Sequence, residues 1–328
     1  MLPSVLPLKP YLREMIWGGR GLREQFDKPL TPGRLYGESW EVSAYPNMES
    51  MVAAGPFSGR SVRDLVESHG RDLLGAEVFD RYGGEFPLLV KLLDARQDLS
   101  IQVHPDDAYA RMKRPGEFGK MEAWYVLRSE NGRIACGLKP GVDRSAFVDA
   151  VDNNRVSDAV EFFDARPGDV VFIPPGTVHA LCAGVMVYEV QQSSDVTFRI
   201  FDYNRPGADG KPRELHLDDA LAVINFEGPR RTPVASATLH STSPGHTLLV
   251  EAEHFLLERF TPSGSGAGHP PRASVSAVTF IQGSVVIQGG GDAYRAGKGD
   301  TFLIPTGRDF AVVSRDDSAA EYLVASVP

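Results

Sequence analysis

Gly168-Asp169-Val170-Val171-Phe172-Ile173-Pro174-Pro175-Gly176 is echoed by Gly299-Asp300-Thr301-Phe302-Leu303-Ile304-Pro305-Thr306-Gly307, at a constant offset of 131 residues. Gly-Asp opens both copies, Ile-Pro falls at the same step, and the second glycine keeps register. Two coincidental Gly-Asp turns do not account for that agreement. A repeat at this spacing is a duplicated domain rather than a solenoid unit. Each copy reads as a turn, a short buried strand and a corner. The length of 328 residues fits two domains better than one core. The 33 glycines and 24 prolines exceed average usage and predict many turns, hence short strands rather than long helices.

Outward from the repeat, the chain divides by texture. Residues up to about Pro56 read as strands and turns. Between Ser58 and Tyr82, apolar residues at Val62, Leu65, Val66, Leu73, Leu74 and Phe79 recur near a 3.6 period and predict one or two helices. Phe86–Leu93 is an apolar run around Lys91, as in a buried strand. Leu99, Ile101 and Val103 alternate with Ser100, Gln102 and His104. Val142 to Asp164 and Leu217 to Phe226 read as helical, with short strands from Asp169 to Ile200 between them. Residues 229–247, rich in Ser, Thr, Pro and His, read as a linker or loop, and short β-like stretches follow. The predicted domains are therefore residues 1–228, carrying the chemistry, and residues 229–328.

Composition narrows the function classes. Apolar residues at 42% and charged residues at 23% describe a globular chain. A net charge of −9 repels polyanions, so nucleic acid is not the expected partner, although a local basic pocket still admits a small anionic substrate. Cys136 and Cys182 are too few for a disulfide framework and suit a reducing compartment. The N-terminal stretch has no basic region before its apolar residues, and no apolar run approaches the roughly 18 residues of a membrane span. A cytoplasmic location, with no membrane partner, is expected.

The first copy continues to His179, giving G-x5-P-x-G-x2-H. This string resembles the second motif of the cupin barrels and implies a mainly β chain of two cupin-type jelly-roll domains with a few added helices. In that resemblance His179 is aimed into the barrel mouth, and an earlier strand and a Glu complete a metal site. Here the earlier element is Gln102-x-His104, whose side chains share a strand face, and the Glu is Glu122. Two imidazoles and a carboxylate are the ligand set of a catalytic zinc with an open position, and Gln102 would add an oxygen. The 131-residue offset carries His179 onto Phe310, so the second copy is expected to hold no metal. His69, His216, His240, His246, His254 and His269 lack such context and are read as structural or surface residues.

Four further strings join the segment ending at His179: Gly37-Glu38-Ser39-Trp40-Glu41, Leu99-Ser100-Ile101-Gln102-Val103-His104-Pro105, Gly119-Lys120-Met121-Glu122-Ala123-Trp124-Tyr125, and Ser194-Asp195-Val196-Thr197-Phe198-Arg199. Together they resemble the type I mannose-6-phosphate isomerases, in their shorter bacterial form. The resemblance implies one Zn2+ per chain, held by Gln102, His104, Glu122 and His179, and a hexose phosphate substrate. It also implies an active-site arginine at Arg199 and a lysine at Lys120; the candidates for the proton transfer itself are Asp195 as base, Lys120 as ammonium donor and Glu189 as orienting carboxylate. Arg205 stands where some members carry a lysine and is the candidate phosphate ligand. The implied reaction moves a proton between C1 and C2, which redox-inert zinc suits. Two rivals remain at this stage, an iron cupin dioxygenase and a non-catalytic sugar-phosphate-binding cupin. Either a monomer or a homodimer is expected.

Overall fold

The computed structural model describes residues 1–207, 210–228, 232–235, 239, 241–262, 266–314 and 319–328. In it the two copies of the repeat share one local structure. Gly168 and Gly299 sit at φ +89° and +95°, a left-handed conformation glycine adopts at no steric cost. The aspartate that follows turns back on the chain: Asp169 accepts the Arg166 N–H at 2.9 Å, and Asp300 accepts the Gly297 N–H at 2.8 Å. Each turn then feeds a strand, Asp169–Ile173 or Thr301–Ile304.

Around these strands the chain builds two double-sheet barrels, the mainly β architecture expected. In the first, the larger sheet runs Val234–Ala235, Asp169–Ile173, Glu122–Ser129, Val185–Gln192, Leu88–Asp94, Tyr36–Val42, Tyr11–Gly19 from edge to edge. The smaller runs Phe198–Phe201, Ile101–Val103, His179–Leu181, Arg133–Leu138, Val160–Asp164. Trp17, Leu93, Trp124, Val171 and Val187 from the larger sheet meet Ile134, Cys136 and Leu181 from the smaller in one core. The second barrel pairs an eight-stranded sheet with a four-stranded one, and Phe260, Phe280, Phe302, Phe310 and Tyr322 fill it.

The outer faces of the two large sheets pack on each other. Val90, Leu92, Tyr188 and Val190 from one share a core with Leu257, Ala277, Leu303 and Leu323 from the other. Helices Arg144–Asp152, Val156–Ala159 and Leu217–Val223 cover the outer face of the five-stranded sheet, through Phe147, Val156 and Ala220. Helix Val62–Leu74 begins at a capping box between Ser61 and Asp64, which satisfies two otherwise orphaned N–H groups.

Three expectations differ from the fold. Val160–Asp164, read as the end of a helix, is an edge strand paired with Arg133–Leu138. Its Val-Glu-Phe-Phe sequence suits a strand, and the apolar spacing across Val142–Asp164 fits both periods. Strands Leu6–Lys9 and Met51–Val52 lie in the sheet of the second barrel, paired through Leu6 with Leu303, so the first 228 residues do not keep all their strands in one barrel. The segment read as a linker carries strand Val234–Ala235, which pairs with Asp169 and Val170, and strand Ser241–Ser243, which pairs with His246–Glu251. His240 lies outside the described residues. Cys136 and Cys182 are buried and form no disulfide. Among the described residues, no helix is long and apolar enough to cross a membrane.

Candidate metal centre

Strand register assembles the site. Gln102 lies opposite Arg199 on one neighbouring strand and opposite His179 on the other, so the three side chains leave the same sheet face in a row. His104 follows at the end of its strand, and its carbonyl accepts the Gly176 N–H at 2.9 Å, which fastens the early string to the late motif. From the facing sheet, Glu122 begins one strand, with Gln191 beside it, and Glu189 pairs with both Trp124 and Lys91.

His104, Glu122 and His179 converge with their ligand atoms within 4.8 Å of one another. Their burial is complete, at 1%, 0% and 0% exposure, and they lie behind the cavity wall, against Gln102 and Lys120, which line it. Each imidazole anchors Nδ1 on a backbone carbonyl, His104 on Val196 at 2.9 Å and His179 on Thr177 at 2.8 Å. When Nδ1 donates there, both Nε2 atoms present lone pairs to the centre, as ligating histidines do. The Glu122 carboxylate lies 3.2 Å from His179 Nε2 and 3.4 Å from His104 Nε2. Its Oε1 is buried without a hydrogen bond. A buried carboxylate oxygen without a hydrogen bond, set between two inward imidazole nitrogens, is what a divalent cation would satisfy. Gln102 closes the group, with its side-chain nitrogen 3.3 Å from His179 Nε2; turning the amide over presents an oxygen instead.

Lys120 is buried and donates to Glu122 Oε2 at 2.7 Å, with its Nζ 3.0 Å from His104 Nε2. Burial alone would raise the Glu122 pKa, but the Lys120 cation works against it, and the carboxylate stays well below its usual range. Burial, reinforced by Lys120, keeps His104 well below its ordinary value and therefore neutral, the form a metal needs.

Beside this group lies a cavity of about 250 Å³, lined by Gln102, Lys120, Glu189, Asp195 and Arg199 among others. Asp195 accepts from Arg13 at 3.1 Å. Glu189 accepts from Trp124 Nε1 at 2.7 Å through Oε2, while its Oε1 lies 3.2 Å from Lys91 in an ion pair without a hydrogen bond. Arg199 donates to the Glu214 carbonyl at 2.8 Å; burial and the nearby Arg213 lower its pKa. Arg205 does not line this cavity: it pairs with Asp202 at 2.6 Å, and Arg213 lines the wall instead. His216, read as structural or surface, also lines the cavity and accepts the Arg199 backbone N–H at 3.2 Å. Arg13, Glu38, Lys91, Arg114 and Arg213 complete the charged lining. Lys91 alone had a visible signal, a lone cation inside an apolar strand, which calls for a buried partner.

Known proteins match this arrangement. The model of the phosphomannose isomerase type I catalytic domain fits residues 5–141, the stretch that includes Gln102, His104, Lys120 and Glu122. The mannose-6-phosphate isomerase ManA of Bacillus subtilis is 34% identical over 308 residues, covering 94% of this chain and 95% of its own. The mannose-6-phosphate isomerase of Streptococcus mutans is 34% identical over 301 residues, covering 91% of each. The crystal structure of a mannose 6-phosphate isomerase from Bacillus subtilis superposes with a TM-score of 0.85 at 32% identity, over 98% of this chain and 99% of that one. With a catalytic-domain match across Gln102, His104 and Glu122 and relatives at this identity over more than nine-tenths of the chain, the chain belongs to the type I phosphomannose isomerase family.

Proposed function

We propose that this chain interconverts mannose 6-phosphate and fructose 6-phosphate, with one Zn2+ held by Gln102, His104, Glu122 and His179. The observation that carries the reading is the buried His104–Glu122–His179 group, with its two inward Nε2 atoms, beside a cavity walled by carboxylates and arginines. Zinc supplies a redox-inert Lewis acid there, able to favour the enediolate as charge develops on the sugar oxygens. The remaining work falls to side chains. Asp195 is the base that takes the proton from C2 and returns it to C1, while a hydroxyl proton passes from O2 to O1, so the reaction needs no oxidant. The Arg13 ion pair holds that carboxylate in place. Lys120 keeps Glu122 ionised and is the ammonium donor at the cavity wall. Glu189, fixed by Lys91 and Trp124, orients its neighbours, and Arg199 offers a planar fork to oxygens that gain charge. Two buried thiols that form no disulfide support a cytoplasmic setting.

A coupled assay with mannose 6-phosphate tests this. Conversion to fructose 6-phosphate is expected, lost on chelation and restored by zinc. Hexose phosphate binding without turnover, or turnover that survives metal removal, would overturn it.

A further inference from the structure

Two arginines meet at one carboxylate beside the cavity. Asp202 is 4% exposed, and burial would raise its pKa, but hydrogen bonds from Arg213 and Arg205 outweigh burial and hold it ionised. Arg205 donates to Oδ1 through Nε and Nη2 at 3.0 and 2.6 Å. Arg213 forks over both oxygens, Nε to Oδ2 at 2.6 Å and Nη2 to Oδ1 at 2.5 Å. A β-bridge between Pro206 and Pro212 holds together the two arms that carry these arginines. The carboxylate neutralises one guanidinium and orients two, so the cluster keeps an excess positive charge next to Arg199.

We infer that Arg213, clamped by Asp202, takes the substrate phosphate, and that Arg205 is a positioning residue which holds the clamp. This rests on the isomerase reading above. Arg213 lines the cavity and Arg205 does not. The fork onto Asp202 uses Nε and Nη2, which leaves the two Nη1 donors outside it. Position along the strand agrees. Arg199 is opposite Gln102 and Phe201 opposite Ile101, so Asp202 lies beyond the metal row, at the Ser100 end of the cavity. A hexose 6-phosphate carries its phosphate at the end remote from C1 and C2, so a sugar with its reacting carbons at the metal row extends toward that wall. Other cations serve less well. Arg13 is committed to Asp195 and Glu38, and Arg114 is exposed. A guanidinium already fixed by a buried carboxylate loses little freedom when it binds an anion.

The test uses the metal-loaded full chain and reads three quantities: KM and kcat for mannose 6-phosphate, and calorimetric affinity for inorganic phosphate. Arg213→Ala is expected to raise KM and weaken phosphate binding roughly 10- to 100-fold, the scale of a hydrogen-bonded charge pair, with kcat nearly unchanged. Arg205 still pairs Asp202 in that variant, so no lone buried charge threatens the fold. Arg213→Lys, which keeps the charge without the fork, is expected to fall between it and wild type. Arg205→Ala and Asp202→Asn should raise KM only a few-fold, because Arg213 remains. Unchanged KM and phosphate affinity in Arg213→Ala, or a larger loss in Arg205→Ala, would overturn the assignment while leaving the isomerase reading intact. A wild-type chain with no turnover, whose phosphate binding still disappears in Arg213→Ala, would sink the isomerase reading and leave the phosphate site standing.

Discussion

The first barrel ends its late motif in His179 and the second in Phe310, and strand register extends that comparison across the whole site. Ile173 lies opposite Glu122, as Ile304 lies opposite Ser276. His179 faces Gln102, as Phe310 faces His269. The Gly176 N–H reaches the His104 carbonyl, as the Gly307 N–H reaches that of Arg272. Gln102, His104, Glu122 and His179 therefore correspond to His269, Arg272, Ser276 and Phe310. The pair Glu189–Lys91 corresponds to Val324–Glu258. The backbone hydrogen bonds are kept and the side chains are exchanged. In the first barrel, buried charges are tolerated because each has a partner, Lys120 for Glu122 and Lys91 for Glu189. In the second, rings stack through the same space, His269 on Phe310 with centroids 4.3 Å apart and Phe260 on Tyr322 at 5.4 Å. One barrel keeps polar groups for chemistry; the other spends the same volume on packing.

The comparison breaks most visibly if matched positions are emptied. His179→Ala is expected to take bound metal from one ion per chain to none, by elemental analysis, and to lower turnover by more than the roughly 10²–10³ that loss of one oriented donor costs. Phe310→Ala should leave metal and kcat unchanged but cost about 3–5 kcal/mol in denaturant unfolding, as a buried aromatic does. Metal retained in the first variant, or lost in the second, would mean that the barrels have not divided their roles in this way.

Arg199 sharpens the comparison at the next scale. It shares the row of Gln102 and His179, so its guanidinium is expected to contact oxygens that gain charge in the enediolate. Arg199→Lys and Arg199→Ala should each lower kcat roughly 10²–10³-fold at full metal loading, because Lys lacks the bidentate fork. Steady-state kinetics on both decides it; a rise in KM alone would place Arg199 beside Arg213 as a phosphate ligand.

Much of this was legible in the sequence, and for local reasons. The duplicated Gly-Asp turn needs a left-handed residue followed by a short acceptor, so it survives in both barrels and announces them. The spacing of the proposed ligands is legible because Gln102 and His104 sit two apart in the chain. What depends on distant contacts left no mark. Leu6–Lys9 is too short to state which barrel it joins, and nothing near Arg13 points to Asp195, 182 residues away. Arg205 was the expected phosphate ligand because it stands where some members of the resembling family carry a lysine. The Pro206–Pro212 bridge reverses the chain and brings Arg213 to the wall instead. His216 carries no motif; its role arises from packing against the Arg199 backbone.

The smallest expected effect lies in the second barrel, where a histidine occupies the place of Gln102. His269 hydrogen-bonds through Nε2 to the Tyr322 hydroxyl at 2.6 Å. Burial lowers its pKa to about 4; Arg272 and His246 act in the same direction, and Glu258 opposes them. The unfolded chain takes up this proton near pH 6.5, whereas the folded barrel resists it until about pH 4. Between those values the unfolded state binds more protons, so stability rises with pH. The contribution of His269 is therefore intact above pH 6.5 and is lost as the pH falls toward 4, amounting to about 3 kcal/mol at the low end. His269→Gln removes the titration. Its unfolding free energy should accordingly fall less steeply between pH 7 and pH 4.5 than that of the wild type, the carboxylates common to both cancelling in the difference. Hydrogen exchange should place the wild-type loss in strands Phe310–Ser314 and Glu321–Ser326, which carry Phe310 and Tyr322. Equal pH slopes in the two proteins would show that the second barrel accommodates a charged ring, and that its aromatic filling is not the dry counterpart of the metal site.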